Sequence, residues 1–143
     1  MGTTLTVAVV RKEMIHWAHV GDSRLYKFNG DELFQVTEDD TMAGFLLAEG
    51  EINKEEARIH STRNALFQCI GCGYFEAETG TFALKVRDLL LLSTDGLHDQ
   101  VPEETIVSIL GSDDGLKEKL EAPVSAALDV GGRDNMTVVG AEI

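Results

Sequence analysis

Apolar and polar residues alternate from the start of the chain. Leu5, Val7 and Val9 are set against Thr6, Ala8 and Val10, the two-residue period of a strand, and the apolar content predicts a mostly buried one. Arg11-Lys12-Glu13 is a polar turn, and residues 15–20 return as a second strand. Gly21-Asp22-Ser23 interrupts the pattern. Residues 24–28 then run into Asn29-Gly30, the strongest short hairpin signal, and residues 33–36 return. The first 36 residues therefore read as one antiparallel β meander.

The period then becomes helical. Met42, Phe45 and Leu46 share a helix face, with Asp39 or Asp40 as the expected cap and Gly50 as the stop. Asn53-Lys54-Glu55-Glu56 resembles a capping box and opens a second short helix through Arg58. Extended structure is expected over residues 65–70 and 81–86. Asp88 precedes Leu89-Leu90-Leu91-Leu92, a run too apolar for a strand with one face in water. Val101-Pro102-Glu103-Glu104 starts a helix through Leu110, with the proline tolerated in its first turn. Leu116, Leu120, Val124 and Leu128 form a stripe on a later helix that Pro123 is predicted to bend or break. Gly131-Gly132 ends that helix, and residues 136–139 form a last strand. Antiparallel strands with helices segregated between them define the α+β class.

Composition narrows the function. The 143 residues are the size of one domain, and 43% are hydrophobic, enough for a core. There is neither an apolar run of the ~18 residues a membrane helix needs nor a basic-then-apolar leader, so the expected location is cytoplasmic. The net charge of -13 repels phosphate backbones and anionic lipid, which argues against nucleic-acid and membrane partners. Cys69 and Cys72 form a single C-x-x-C; without a second pair they cannot build a four-ligand zinc site, and they are expected to be two inert small core residues. Met1 to Thr6 spell a myristoylation motif, but a strand from Thr4 leaves no free arm to carry the lipid.

Three aspartates share one local pattern. Asp22 lies in Val20-Gly21-Asp22-Ser23-Arg24, Asp95 ends the leucine run in Leu92-Ser93-Thr94-Asp95-Gly96-Leu97, and Asp134 precedes the last strand in Gly132-Arg133-Asp134-Asn135. Singly, each reads as a turn cap. A carboxylate held at the end of a buried strand is partly dehydrated, however, and calls for hydrogen-bond donors or a cation. Magnesium and manganese take oxygen ligands and keep several waters, which suits a few carboxylates on rigid strand ends.

In their order, Gly21-Asp22-Ser23-Arg24 with Leu25-Tyr26, Thr94-Asp95-Gly96-Leu97, and Gly132-Arg133-Asp134-Asn135 resemble the motifs of the metal-dependent protein serine/threonine phosphatases of type 2C, most of all bacterial members. Val36-Thr37-Glu38-Asp39, Ala48-Glu49-Gly50-Glu51-Ile52 and Thr62-Arg63-Asn64-Ala65-Leu66 extend the resemblance over the whole chain; threonine at 94, where serine is common, is a departure. The resemblance implies an antiparallel β-sandwich flanked by helices in αββα layers, with residues 1–143 as a partial domain and 40–59 as a helical flap beside the site. It implies Mn2+ or Mg2+, with Asp95 and Asp134 as ligands of a catalytic metal and Asp22, with Asp95, as ligand of a weaker third. Gly96 and Asn135 would support these ligands, Asn135 by orienting Asp134. Two catalytic metals would activate a water against phosphoserine or phosphothreonine of a phosphorylated protein substrate.

The family's first motif, Asp-Gly-x-Gly-Gly, supplies the carboxylate that bridges the metals and does not occur in these residues. The expectation is therefore an N-terminally truncated domain, inactive alone, whose partner would be a complementing N-terminal half. The alternative is a non-catalytic or split fragment acting as a binding or regulatory module. Other candidates are His98, as a proton-transfer residue or a polar helix-start residue, and Asp99, as the cap of the following turn. His16, His19 and His60 show no metal-ligand spacing, and Asp113-Asp114-Gly115 reads as a solvated turn.

Overall fold

The structure, a computed structural model, describes residues 1–142. Its strands are β1 (Leu5–Arg11), β2 (Met14–Val20), β3 (Arg24–Phe28), β4 (Leu33–Gln35), β5 (Glu78–Ala83), β6 (Leu89–Ser93) and β7 (Val138–Glu142). Its helices are α1 (Met42–Ala48), α2 (Lys54–Ile59), α3 (Asp95–His98), α4 (Glu103–Leu110) and α5 (Leu116–Asp129). They fall into two compact units: Met1–Arg24 with Thr37–Ala83, and Leu25–Val36 with the chain from Leu84 onward. No helix among the described residues is long and apolar enough to cross a membrane.

The first unit holds a sheet of order β1-β2-β5, and the second a sheet of order β4-β3-β6-β7. The class is α+β with two antiparallel sheets, as expected, but the opening meander is not continuous. β1 pairs with β2 antiparallel from Leu5 opposite Val20 to Arg11 opposite Met14, whereas β3 pairs with β4 in the other sheet. The chain changes sheets at residues 21–23, where the sequence pattern shows only an interruption. β1 is also not the buried strand expected. It is an edge strand, and Leu5, Val7 and Val9 are 48%, 40% and 60% exposed on one of its faces.

In the first unit α1 is capped by Thr41, whose hydroxyl accepts from the Gly44 amide at 3.0 Å, and not by Asp39 or Asp40. Those two carboxylates have other partners, described below. The capping box of α2 is present: the Asn53 side chain accepts from the Glu56 amide at 2.9 Å, and the Glu56 carboxylate accepts from the Asn53 amide at 2.8 Å. The expected extended run at 65–70 contributes only isolated bridges, Thr41 with Leu66 and Thr3 with Ile70.

The second unit is organised around β6, buried along most of its length, with Leu89 and Leu91 packed among Tyr26, Phe28, Leu97 and Ile106. α5 runs unbroken through Pro123, which is buried. The ring lies on the packed face with Ala127, while Leu128 is 59% exposed. Tertiary burial thus outweighs the hydrogen bond that proline removes, and the packed stripe is Leu116, Leu120, Pro123 and Ala127 in place of the one through Leu128.

Candidate functional site

In the second unit β6 leads straight into the acidic turn. Ser93 lies opposite Val138 in the β6–β7 ladder, and one residue on, the Thr94 amide donates to the Thr137 carbonyl at 3.2 Å. The Thr94 hydroxyl in turn accepts from the Thr137 amide at 3.0 Å. This continuation ties the segment carrying Asp134 to the start of α3, whose first residue is Asp95. Gly96 lies so close to the Asn135 carbonyl that any side chain at 96 would collide with it. Gln100 completes the clamp: its side-chain amide donates to the Gly96 carbonyl at 2.7 Å, and its oxygen accepts from the Arg133 amide at 2.9 Å.

The two carboxylates are held alike. Asp95 Oδ1 accepts from the Gly96 amide at 2.9 Å, and Asp134 Oδ1 from the Asn135 amide at 2.7 Å. Burial pushes the Asp95 carboxyl above its ordinary 3.8, and the negative charge of Asp134, with a smaller push from Asp99, raises it further against the Gly96 amide. A half-buried carboxylate facing a second one is a site that a cation would relieve. Two oxygen-donor side chains fit part of the shell of Mg2+ or Mn2+, which keep waters in the remaining positions. Among the described residues no group of three or more His, Cys, Asp or Glu side chains is placed to hold a metal ion, so the pair is less than a complete protein cage.

Asp22 lies in the first unit, buried in the turn after β2. That turn is held by Asp40, whose carboxylate accepts from the Gly21 amide at 2.7 Å and whose own amide donates to the Gly21 carbonyl at 2.8 Å. Arg24 forms a two-pronged ion pair with Asp39, Nε to Oδ1 at 2.8 Å and Nη2 to Oδ2 at 2.6 Å. The buried ring of His19 bridges the Thr6 hydroxyl at 2.9 Å and the Glu38 carbonyl at 3.0 Å, a structural use of its polar atoms. His98 is buried beside Ser93, with Nδ1 3.5 Å from Oγ, and Asp99 caps the C-terminal end of α3.

Of the expected site residues, the second unit brings together Asp95, Gly96, Asp134 and Asn135, while Asp22 belongs to the first. Sequence reasoning missed Gln100, a single glutamine with no motif around it, and the joint role of Asp39 and Asp40 in holding the Asp22 turn. It also misjudged the cysteines: Cys69 is buried but Cys72 is exposed, and the two are joined as a disulfide with Cα atoms 5.4 Å apart.

The family model described as Protein phosphatase 2C matches residues 1–127. The chain is 41% identical over 140 residues to the serine/threonine phosphatase stp of Listeria welshimeri, an alignment covering 97% of this chain and 56% of that protein. The solved serine/threonine phosphatase Stp1 from Staphylococcus aureus superposes with a TM-score of 0.95 at 33% identity, covering 100% of this chain and 57% of that one. A structure of the catalytic domain of PstP in complex with two manganese ions superposes with a TM-score of 0.87 at 36% identity, covering 99% of this chain and 59% of that one. The chain thus spans rather more than half the length of these relatives.

Proposed function

Because the chain belongs to the protein phosphatase 2C family, we propose that it carries part of a metal-dependent hydrolase acting on phosphoserine and phosphothreonine in cytoplasmic proteins. The observation that carries this is the Asp95–Asp134 pair, with Asp95 raised by burial and by its neighbour's charge. The two carboxylates hold a divalent ion, Mn2+ or Mg2+, and Asp22 is assigned a ligand role by its motif alone. When bound, such ions supply Lewis acidity toward water and the phosphoryl oxygens. The chain's own residues fix the donors: the Gly96 and Asn135 amides orient the carboxylates, and Gln100 locks one acidic turn to the other. Residues 40–59, containing α1 and α2, form the flap that shapes access for phosphorylated protein substrates.

Two carboxylates without a bridging third should retain a metal pair poorly, so the chain alone is expected to be inactive. The test is manganese-dependent hydrolysis of p-nitrophenyl phosphate by the chain and its Asp95→Ala variant, with manganese-induced thermal stabilisation measured on the same samples. Stabilisation by manganese in the parent alone, without turnover, supports both statements. Turnover that Asp95→Ala abolishes overturns the inactivity and keeps the site; no manganese response in either protein overturns the site.

A second reading, a non-catalytic or split fragment acting as a binding or regulatory module, is favoured by the exposed apolar face of edge strand β1. A neighbouring reading frame encoding the Asp-Gly-x-Gly-Gly half would support the hydrolase reading instead.

A further inference from the structure

The first unit contains a disulfide-linked cysteine pair that the hydrolase reading leaves unused. Cys69 and Cys72 close a four-residue loop, with their Cα atoms at 5.4 Å, inside the span usual for a disulfide. Cys72 is exposed and Cys69 buried, the asymmetry of an attacking thiol and a resolving one. The loop is pinned on both sides. Thr3 and Ile70 exchange two backbone hydrogen bonds of 2.9 Å, and a side chain at Gly2 would run into both sulfurs. Next to Cys69, the Gln68 side chain accepts from the Glu76 amide at 2.8 Å and donates to Asp40 Oδ1 at 2.8 Å. Asp40 uses its other oxygen to hold the Gly21 amide at 2.7 Å, immediately before Asp22. A path of one peptide link and two hydrogen bonds therefore runs from Cys69 through Gln68 and Asp40 to the Asp22 turn.

We infer that Cys69 and Cys72 are a reversible redox site, and that their oxidation state sets the order of the turn carrying Asp22. In a compartment that keeps thiols reduced, a disulfide is conditional and serves as a sensor. With peroxide as oxidant, the Cys72 thiolate attacks one oxygen, becomes a sulfenic acid and releases water after protonation. Cys69 sulfur then attacks Cys72 sulfur and displaces a second water, so two thiols and one hydrogen peroxide give one disulfide and two waters. A dithiol reductant reverses the change by exchange and leaves as its own disulfide. In the reduced state the two sulfurs are no longer bonded and must move apart to van der Waals distance. Gly2 lies against both sulfurs, so their separation loads the Thr3–Ile70 bridge between them and passes along the chain from Cys69 to its neighbour Gln68. Only the consequence for metal binding rests on the ligand role given to Asp22; the redox chemistry and its path do not.

The test is made on the metal-free chain, so failure of the ligand reading does not affect it. The chain is equilibrated with hydrogen peroxide or with dithiothreitol, free thiols are counted by a maleimide mass tag, and amide hydrogen exchange is followed. The expected result is loss of both tags on oxidation, with exchange at Gly21 and Ile70 slowed about tenfold in the oxidised state. Cys72→Ser should abolish the oxidant response at both amides. Gln68→Ala should still form the disulfide and keep the Ile70 response, while losing that at Gly21. Both thiols remaining tagged after peroxide would overturn the inference, as would a disulfide that leaves Gly21 exchange unchanged. A Gly21 response that survives Gln68→Ala would overturn the path.

Discussion

At the residue scale, Asp88 and Asp95 flank the same buried strand and are driven in opposite directions. Burial alone would raise Asp88, but its bond from the Lys85 amide at 2.7 Å and its ion pair with Lys27 at 3.0 Å hold it below the ordinary 3.8. Its stabilisation is present above that value and is lost as pH falls through the lower folded one. Asp88→Asn is therefore expected to cost about 2 kcal/mol at neutral pH, read from urea denaturation. For Asp95, burial and the Asp134 charge raise the folded value. The folded chain then holds that proton more tightly than the unfolded one, so the contribution to stability is full below 3.8 and is lost as pH rises through the folded value. In chelator, Asp95→Asn should melt higher than the parent at neutral pH, the gap closing as pH falls toward about 4, and should lose the stabilisation by manganese. A parent that melts as high as the variant in chelator at neutral pH would contradict this. The motif around each aspartate was legible, because a polar residue at the end of an apolar run is visible in the letters. Which of the two is stabilised by its surroundings was not, because Lys27 and Asp134 approach them only through the fold. Gln100 was illegible for the same reason, and Gln100→Ala should cost about 1–2 kcal/mol through its two bonds, measured by the same denaturation.

At the scale of elements, the legible features were those whose cause is local. Asn29 accepts from the Asp31 and Glu32 amides at 3.0 and 2.8 Å, closing the hairpin that the Asn-Gly pair announced. The Asn53 box likewise needs only four consecutive residues. Asp39, Asp40 and Thr41 are all competent caps, and the choice fell to Thr41 because Arg24 and Gly21 engage the two carboxylates. The switch of sheets at 21–23 was invisible, since alternation reports a strand and not the sheet it joins. Helices as short as α1, seven residues, and α2, six residues, depend on caps and tertiary contacts for their existence. Thr41→Ala and Asn53→Ala should each cost about 1 kcal/mol, seen as a lower urea midpoint at unchanged slope. Asp40→Ala should cost more than either cap, because it removes the acceptor of both Gly21 and Gln68. A change confined to α1 would show that the carboxylate serves the helix after all.

At the scale of the whole molecule, two opposing terms decide how copies of the chain behave. The apolar row Leu5, Val7 and Val9 lies on a strand at the edge of its sheet, the arrangement that invites another chain to add to the sheet. The net charge of -13 works against contact between copies, and it does so through solvent, where salt screens it. Apolar association is not weakened by that screening. Copies should therefore associate more strongly as salt is raised from about 0.05 to 0.5 M, the reverse of a contact made by opposite charges. Sedimentation velocity up to about 100 µM is expected to show a salt-promoted shift toward larger species. The Val7→Lys, Val9→Lys double variant should remain monomeric with stability changed by less than about 0.5 kcal/mol per site, since both side chains already face solvent. A parent that stays monomeric at high salt would show that the face does not draw chains together, and the reading of β1 as a docking edge would lose its physical basis.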